Sequence, residues 1–139
     1  RVVILGAGFV GMDLGIYLAG LGKSVELVEM LPFLNNGGNI LHQLALDVEL
    51  KKYDIGVSLE TRAVKITRDG VFAEKNGEER FFPADTVIYA VGQAPLTDEV
   101  DAIRFCAPEF YVVGDCRTPR NIMQATAMAE AAVTDLGLF

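Results

Sequence analysis

The chain has 139 residues, of which 51% are hydrophobic, and a formal net charge of −7 at pH 7. This length is that of one ordinary domain with a core of its own, and the acidic balance disfavours nucleic acid or an anionic membrane surface as a partner. No run approaches ~18 consecutive apolar residues and no signal peptide is visible, so the sequence predicts a soluble protein without a membrane partner. Two cysteines are too few for a disulfide framework, so we expect a reduced, cytoplasmic setting.

The first segment carries the clearest pattern. An apolar strand over Val2–Leu5 runs directly into the sequence Gly-x-Gly-x-x-Gly. Gly6 permits the tight turn off the strand, Gly8 has no Cβ to hold a diphosphate away from the backbone, and Gly11 lets the next helix pack close to the sheet. The first N–H groups of that helix face the phosphates. The pattern predicts a dinucleotide site with contacts from Gly6, Ala7, Gly8, Phe9, Val10 and Gly11.

The second half of this predicted site follows the next strand. A helix over residues 9–21 stops at Gly22, and a strand over residues 24–28 is followed by Glu29. A carboxylate here accepts hydrogen bonds from the ribose hydroxyls of an adenosine and repels a 2′-phosphate. The three residues after Glu29 include no Arg or Lys, so the sequence favours NAD(H) over NADP(H). We assign Met30 to the same site; the alternative for Glu29 is a loop cap.

A second strand–helix unit is predicted next. Asn, Gly and Pro mark a loop over residues 31–39, and a helix over residues 40–53 leads into a third strand over residues 57–60. His42 lies beside the apolar stripe of this helix and is expected to be solvated. The stripe that we expect to face the core consists of Ile40, Leu41, Leu44, Ala45 and Val48.

The pattern then changes from helical to alternating. Three short runs, separated by an Asp-Gly and an Asn-Gly turn, predict an antiparallel meander. These runs are residues 63–67, 71–74 and 79–82. An apolar run over residues 86–91, ending at Gly92, predicts a further parallel strand. The predicted fold class is therefore α/β, a Rossmann-like parallel sheet with an inserted three-stranded antiparallel meander.

The last third of the chain is less regular. Residues 93–109 are polar and are predicted to be irregular, residues 110–113 form one more apolar strand, and residues 122–136 form a helix. Because the chain enters a core strand at Val2 with no methionine or leader before it, we expect it to be a piece of a longer protein.

The two cysteines and two of the methionines are expected to pack in the interior, without a redox or metal-binding role. Cys106 and Cys116 are too few for a disulfide framework and are expected to be small buried hydrophobes. Met123 and Met128 are expected to pack in the core. One His and two separated Cys form no ligand cluster, and no nucleophile stands beside a base. We therefore assign no metal site and no catalytic residue.

Three motifs occur in an order that resembles the pyridine nucleotide–disulfide oxidoreductase superfamily. They are the glycine fingerprint closed by Glu29, ADTVIYAVG at residues 84–92, and YVVGDC at residues 111–116. The closest likeness is to the NADH:flavin oxidoreductase and 2,4-dienoyl-CoA reductase branch, in which Gly-Asp-Cys followed by Pro-Arg-Asn-Ile is a familiar ending. The resemblance implies that residues 1–92 are an NAD(P)-binding domain. It implies that residues 93–139 are the returning C-terminal segment of an FAD-binding domain whose first half is absent here.

The resemblance also implies roles for single residues. Asp13, where a Glu is more usual, would reach the nicotinamide carboxamide; the alternative is an acid favoured by the positive helix end. The loop at Gly92 would contact the cofactor, or is an ordinary turn. Asp115 would hydrogen-bond the ribityl chain of FAD in the parent protein, or only cap a turn.

The predicted function is therefore that of a domain that positions NAD(P)H for hydride transfer to a flavin. The parent would be an NAD(P)H-dependent flavoprotein oxidoreductase containing FAD, whereas the isolated chain is expected to be inactive. Its partners would be the dinucleotide and the remaining FAD domain, with an FMN-carrying barrel in the dienoyl-CoA reductase branch. The alternative is a module that binds ADP or NAD in a structural or regulatory role, without redox chemistry.

Overall fold

The computed structural model describes residues 1–34 and 40–137, so residues 35–39 of the predicted loop lie outside the described part. The chain divides into two compact units, Arg1–Gly92 and Gln93–Phe139. The division falls between Gly92 and Gln93. Within the described residues, no helix is both long and apolar enough to cross a bilayer.

The first unit is a Rossmann-like α/β fold. In chain order its elements are β1 (Val2–Leu5), α1 (Phe9–Gly20), β2 (Val25–Val28), α2 (Ile40–Lys52), β3 (Gly56–Ser58), β4 (Arg62–Ile66), β5 (Gly70–Lys75), β6 (Glu78–Pro83) and β7 (Thr86–Tyr89). One sheet is parallel with the order β3-β2-β1-β7, and the other is antiparallel with the order β4-β5-β6. The predicted fold class and inserted meander are thus confirmed.

The central strand β1 is buried on both of its faces, which explains its unbroken apolar run. Val2 and Ile4 belong to a cluster with side chains of the two helices. Val3 and Leu5 belong to a second cluster that includes Val71 of the antiparallel sheet. Helices therefore cover one face of the parallel sheet, and the meander covers the other.

Helix α1 packs closely on the parallel sheet because small residues face it. A Cβ added at Gly15 would lie 3.3 Å from Leu27 Cδ2 and 3.6 Å from Ile4 Cδ1. The helix ends at Gly20, and Gly22 follows with a φ of +80°, which confirms the predicted glycine stop.

Helix α2 has the predicted position, but the predicted buried face is wrong. Leu41 and Val48 of the predicted stripe are 75% and 63% exposed, whereas Leu46 and Leu50 are buried in the core. Apolar residues occur nearly all round this helix, so its pattern does not single out one face. Packing against the rest of the unit buries Leu46 and Leu50, which lie four residues apart and therefore on one face of the helix.

Between residues 93 and 137, the second unit contains two helices and one 3₁₀ turn. Helix α3 (Thr97–Ala102) lies within the segment predicted to be irregular, so that prediction was wrong there. Helix α4 (Ile122–Asp135) confirms the predicted helix. The strand predicted over residues 110–113 is wrong, because this segment pairs with no strand among the described residues and a lone strand leaves its backbone groups unpaired.

No residue described in the second unit is buried, and this overturns the expected burial of its cysteine and methionine side chains. Cys106 and Cys116 are both exposed rather than buried. Met123 is 75% exposed, and Met128 is half-buried. Burial requires two layers of secondary structure that face one another, and the described elements of this unit bury none of these side chains.

Candidate dinucleotide site

The glycine turn leaves β1 toward α1 in a conformation that only glycine adopts easily. Gly6 has a φ of +96°, and a Cβ there would lie 2.5 Å from the carbonyl oxygen of Ala90. The Gly6 N–H donates to the Val28 carbonyl at 2.8 Å, and the Ala90 N–H donates to the Leu5 carbonyl at 2.7 Å. The turn is thus fixed between the ends of two neighbouring strands, with no room for a side chain at Gly6.

Gly8 is the N-cap of α1, and it has no side chain that could satisfy the helix end. No acidic residue lies in the first turn of α1 either. Internal hydrogen bonding of the helix begins with the Met12 N–H, which donates to the Gly8 carbonyl at 3.0 Å. The N–H groups of Phe9, Val10 and Gly11 therefore receive no acceptor from the cap or the first turn. Such donors at the positive end of a helix suit an anion such as a diphosphate.

Gly11 makes the start of this helix compact. A Cβ at Gly11 would overlap the carbonyl oxygen of Gly6, and Ile4 Cγ2 would lie 3.6 Å away. The close approach is therefore between the helix and the glycine turn itself, with the sheet as the second neighbour. Gly15 makes the direct contact with the sheet, a role that the sequence pattern did not single out.

Glu29 follows β2 and is buried, with only 7% of its surface exposed. Its Oε2 accepts the Ala7 N–H at 2.7 Å, and its Oε1 accepts the Leu31 N–H at 2.9 Å. The carboxylate therefore links the glycine turn to the loop after β2. The bond to Leu31 is also what a loop cap would make, so the geometry supports that alternative in addition to a ribose acceptor.

Two aromatic rings stack on one another at the start of α1. The ring of Phe9 stacks on the ring of His42, with centroids 4.5 Å apart and an angle of 18° between the planes. His42 is exposed, as expected from the sequence, but the stack was not foreseen, because no local pattern relates two residues that belong to different helices. Met30 is 65% exposed beside Glu29.

The predicted nicotinamide-side residues are both exposed. Asp13 lies in the second turn of α1. The dipole of a helix acts mainly within its first turn, which weakens the alternative of an acid placed there for the helix end. Gly92 has a φ of +102° and open space where a Cβ would lie.

The strand order brings most of these residues to one edge of the parallel sheet. The chain leaves β1 for β2 on one side, while β7 pairs on the other side. Carboxyl ends of parallel strands meet at the same edge, and the position between β1 and β7 is where the direction of winding reverses. Ligands of doubly wound sheets bind in the crevice at such a switch point. The glycine turn, Glu29 and Gly92 all follow strands that end at this edge.

Asp115 belongs to the second unit. It lies in the exposed 3₁₀ turn Gly114–Cys116 of the second unit. That unit has a cleft of 520 Å³ whose lining includes Arg104, Tyr111 and Met128. Within the part of the chain that the structure describes, no group of three His, Cys, Asp or Glu side chains is arranged to hold a metal ion.

Comparison with known proteins places the chain in a family. A family model described as pyridine nucleotide-disulphide oxidoreductase matches residues 1–132. Cinnamate reductase of Clostridium sporogenes is 33% identical over 129 residues, which are 90% of this chain and 19% of that protein. Bilirubin reductase of Mediterraneibacter gnavus is 31% identical over 116 residues, which are 84% of this chain and 18% of that protein.

A solved structure of 2-naphthoyl-CoA reductase in complex with 2-naphthoyl-CoA has a TM-score of 0.79 at 26% identity, and the match covers 89% of this chain and 19% of that one. The chain thus spans about a fifth of the length of these relatives. The 2-naphthoyl-CoA reductase structure therefore contains a region with the fold of most of this chain. The chain belongs to the pyridine nucleotide-disulphide oxidoreductase family.

Proposed function

We propose that the chain is the NAD(P)H-binding part of a larger FAD-dependent oxidoreductase. In this proposal, Arg1–Gly92 binds the dinucleotide, and Gln93–Phe139 contributes to the FAD-binding domain of the parent protein. When bound, the nicotinamide supplies a hydride and the flavin accepts it. The residues of this chain bind and orient the dinucleotide, and none of them needs to act as an acid or a base.

The observation that carries this proposal is the start of α1. Three N–H groups at a glycine-capped helix end lie beside a turn with no room for a side chain at Gly6. This arrangement provides donors for two phosphate groups without the help of a positively charged surface, which suits a chain with a net charge of −7. The turn also lies at the switch point of the sheet.

We propose that the cofactor is NAD(H) rather than NADP(H). Each oxygen of the Glu29 carboxylate accepts one backbone N–H, and a carboxylate has about four acceptor positions in total. Acceptor capacity therefore remains for the ribose hydroxyls. A 2′-phosphate at the same place would meet a buried like charge, which is unfavourable at short range.

The other assigned residues complete the proposal. Asp13 and Gly92 would contact the nicotinamide side, and Met30 would line the adenosine side, where it is exposed. Asp115 would hydrogen-bond the ribityl chain of FAD in the parent protein. Cinnamate reductase, bilirubin reductase and 2-naphthoyl-CoA reductase suggest an unsaturated organic substrate for the parent, reached through domains outside this chain.

Titration of the purified chain with NADH and NADPH tests the proposed function. We expect saturable binding of NADH in preference to NADPH, and Glu29→Ala should lower the ratio of the two affinities by roughly tenfold. The matched control is Glu78→Ala, because Glu78 is an exposed acid on β6, a strand that contributes no residue to the proposed site. An equal loss for both cofactors in Glu29→Ala would show that the carboxylate does not read the 2′ position.

A further inference from the structure

We propose that Glu29 is also a positioning residue for the diphosphate, because its carboxylate holds the glycine turn in place. The ribose half and the diphosphate half of the site would then depend on a single side chain. This inference rests on the proposed function. It predicts that Glu29 also affects the binding affinity of ligands that lack ribose hydroxyls.

The contacts of Glu29 show how it could act in this way. Ala7 lies in the middle of the glycine turn and is fully buried, and its N–H donates to Glu29 Oε2 at 2.7 Å. That N–H is therefore already used by the protein. The donors that remain for a diphosphate are those at the start of α1, and their position depends on where the turn places the helix end.

The backbone of Glu29 is fixed independently of its side chain. The Glu29 N–H donates to the Ser58 carbonyl of β3 at 2.9 Å, and the Thr61 N–H donates to the Glu29 carbonyl at 2.8 Å. Both bonds connect Glu29 to segments that follow in the chain, not to the turn. The residue is thus a fixed point from which its carboxylate reaches the turn.

The turn needs such a contact more than an ordinary turn does. Glycine has more conformational freedom in the unfolded chain than any other residue type, so it loses more entropy when its conformation is fixed. Between β1 and α1 the chain has glycine at Gly6 and Gly8, so the intrinsic preference of the backbone is weak. A buried carboxylate that accepts a short, charge-assisted hydrogen bond is a strong constraint, because leaving it unpaired in the interior is costly.

A neutral amide cannot make both hydrogen bonds of the Glu29 carboxylate. Glu29 uses one oxygen for Ala7 and the other for Leu31, so both partners are N–H donors. A glutamine has only one side-chain oxygen, and its NH₂ group would face one of the two donors in either orientation. Glu29→Gln therefore breaks one of the two bonds while keeping the size of the side chain.

The experiment compares ADP with 2′,3′-dideoxy-ADP, which keeps the diphosphate and lacks both ribose hydroxyls. We expect Glu29→Ala, which removes the acceptor of the Ala7 N–H in every case, to weaken the binding of dideoxy-ADP by roughly tenfold, through the turn alone. The matched control is Glu26→Ala, since Glu26 lies on β2, the strand that precedes Glu29, and its Oε1 accepts the Ser58 hydroxyl at 2.6 Å instead of an N–H of the turn. The control should bind both nucleotides within about twofold of the unmodified chain.

Amide hydrogen exchange provides a second measurement that needs no ligand. In Glu29→Gln, the exchange of the Ala7 or the Leu31 amide should be at least about tenfold faster, while the β1 amides of Ile4 and Leu5 keep their protection. Unchanged exchange at Ala7 and Leu31 would overturn the inference, and so would unchanged binding of dideoxy-ADP in a variant that binds ADP more weakly. If the unmodified chain binds neither NADH nor ADP, the proposed function itself is overturned, and the inference is overturned with it.

Discussion

The two compact units of the chain use apolar residues with very different results. In Arg1–Gly92, every residue of β1 is buried, and two clusters cover the two faces of one sheet. In Gln93–Phe139, no described residue is buried. Even the large apolar side chains of Phe105 and Ile122 are 92% and 83% exposed. The difference shows that apolar content alone does not create a core. Side chains become buried where two layers of secondary structure face one another.

The same difference bears on the proposed parent protein. The described elements of the second unit are two helices and a 3₁₀ turn that bury no residue, so burial within the unit adds little stability, and its exposed apolar side chains need another surface to pack against. The relatives are about five times longer than this chain. This fits the proposal that the second unit completes an FAD-binding domain.

The largest expected effect comes from separating the two units. Residues 1–92 expressed alone should fold and unfold cooperatively, because both clusters are contained within them. Residues 93–139 expressed alone should show a poorly dispersed amide NMR spectrum and no cooperative thermal transition. A sharp melting transition for residues 93–139 would contradict the account.

Truncation of one apolar side chain in each unit sharpens the comparison. Leu27 is 0% exposed, so Leu27→Ala should lower the free energy of unfolding by about 2–5 kcal/mol. Ile122→Ala in the second unit should change it by no more than about 0.5 kcal/mol. Denaturant titrations of both variants measure these values. Comparable losses at the two positions would mean that the second unit has a core in solution.

A glycine pair tests the turn within the first unit. Gly6 and Gly22 both have positive φ angles, +96° and +80°, but only Gly6 has a backbone atom in the way of a Cβ. Gly22→Ala should therefore cost about 1 kcal/mol of stability through backbone strain alone, and Gly6→Ala about 3 kcal/mol. Chemical denaturation measures the difference. Equal costs would indicate that the approach of Ala90 to the turn is not tight.

The smallest expected effect is a pH dependence in the second unit. The Tyr111 hydroxyl donates to the Asp135 carbonyl at 3.1 Å, and partial burial together with the charges of Glu109 and Asp135 raises the pKa of this phenol. The folded state therefore retains the proton longer than the unfolded state. Its contribution to stability is complete below the unfolded pKa of about 10 and is lost as the pH rises through the higher folded pKa.

The ultraviolet absorbance of tyrosinate measures this shift. The difference between titrations of the chain and of its Tyr111→Phe variant isolates Tyr111 from the other tyrosines. We expect it to titrate at higher pH in the folded chain than in urea. A titration at the same pH in both states would show that the hydrogen bond of Tyr111 does not change the pKa of its hydroxyl.

The sequence predicted most of the first unit because its signals are local. The apolar run of β1, the glycine fingerprint and the two turn dipeptides each specify an element from neighbouring residues alone. The buried face of α2 was not predictable, since apolar residues surround the helix and contacts with other elements choose between them. Residues 110–113 have the composition of a strand but pair with no strand in the described part of the chain, and composition does not reveal whether a partner strand is present.

The site was predictable to a similar extent. The positions of Gly6 and Glu29 follow from the fingerprint and its spacing. The hydrogen bond from Ala7 to Glu29 joins residues 22 apart in the chain, and the stack of Phe9 on His42 joins two helices. Such contacts depend on how the elements pack, which no local pattern records.

The most direct test of the central claim is an amide NMR titration of the chain with NADH and, separately, with ADP. We predict saturable shifts at Gly8–Gly11, Glu29 and Met30 with both ligands, and shifts at Asp13 and Gly92 with NADH alone. Identical shifts and equal affinities for the two ligands would favour a module that holds only ADP. Saturable shifts confined to residues 93–137, or none at the glycine turn, would contradict the proposal that Arg1–Gly92 binds the dinucleotide.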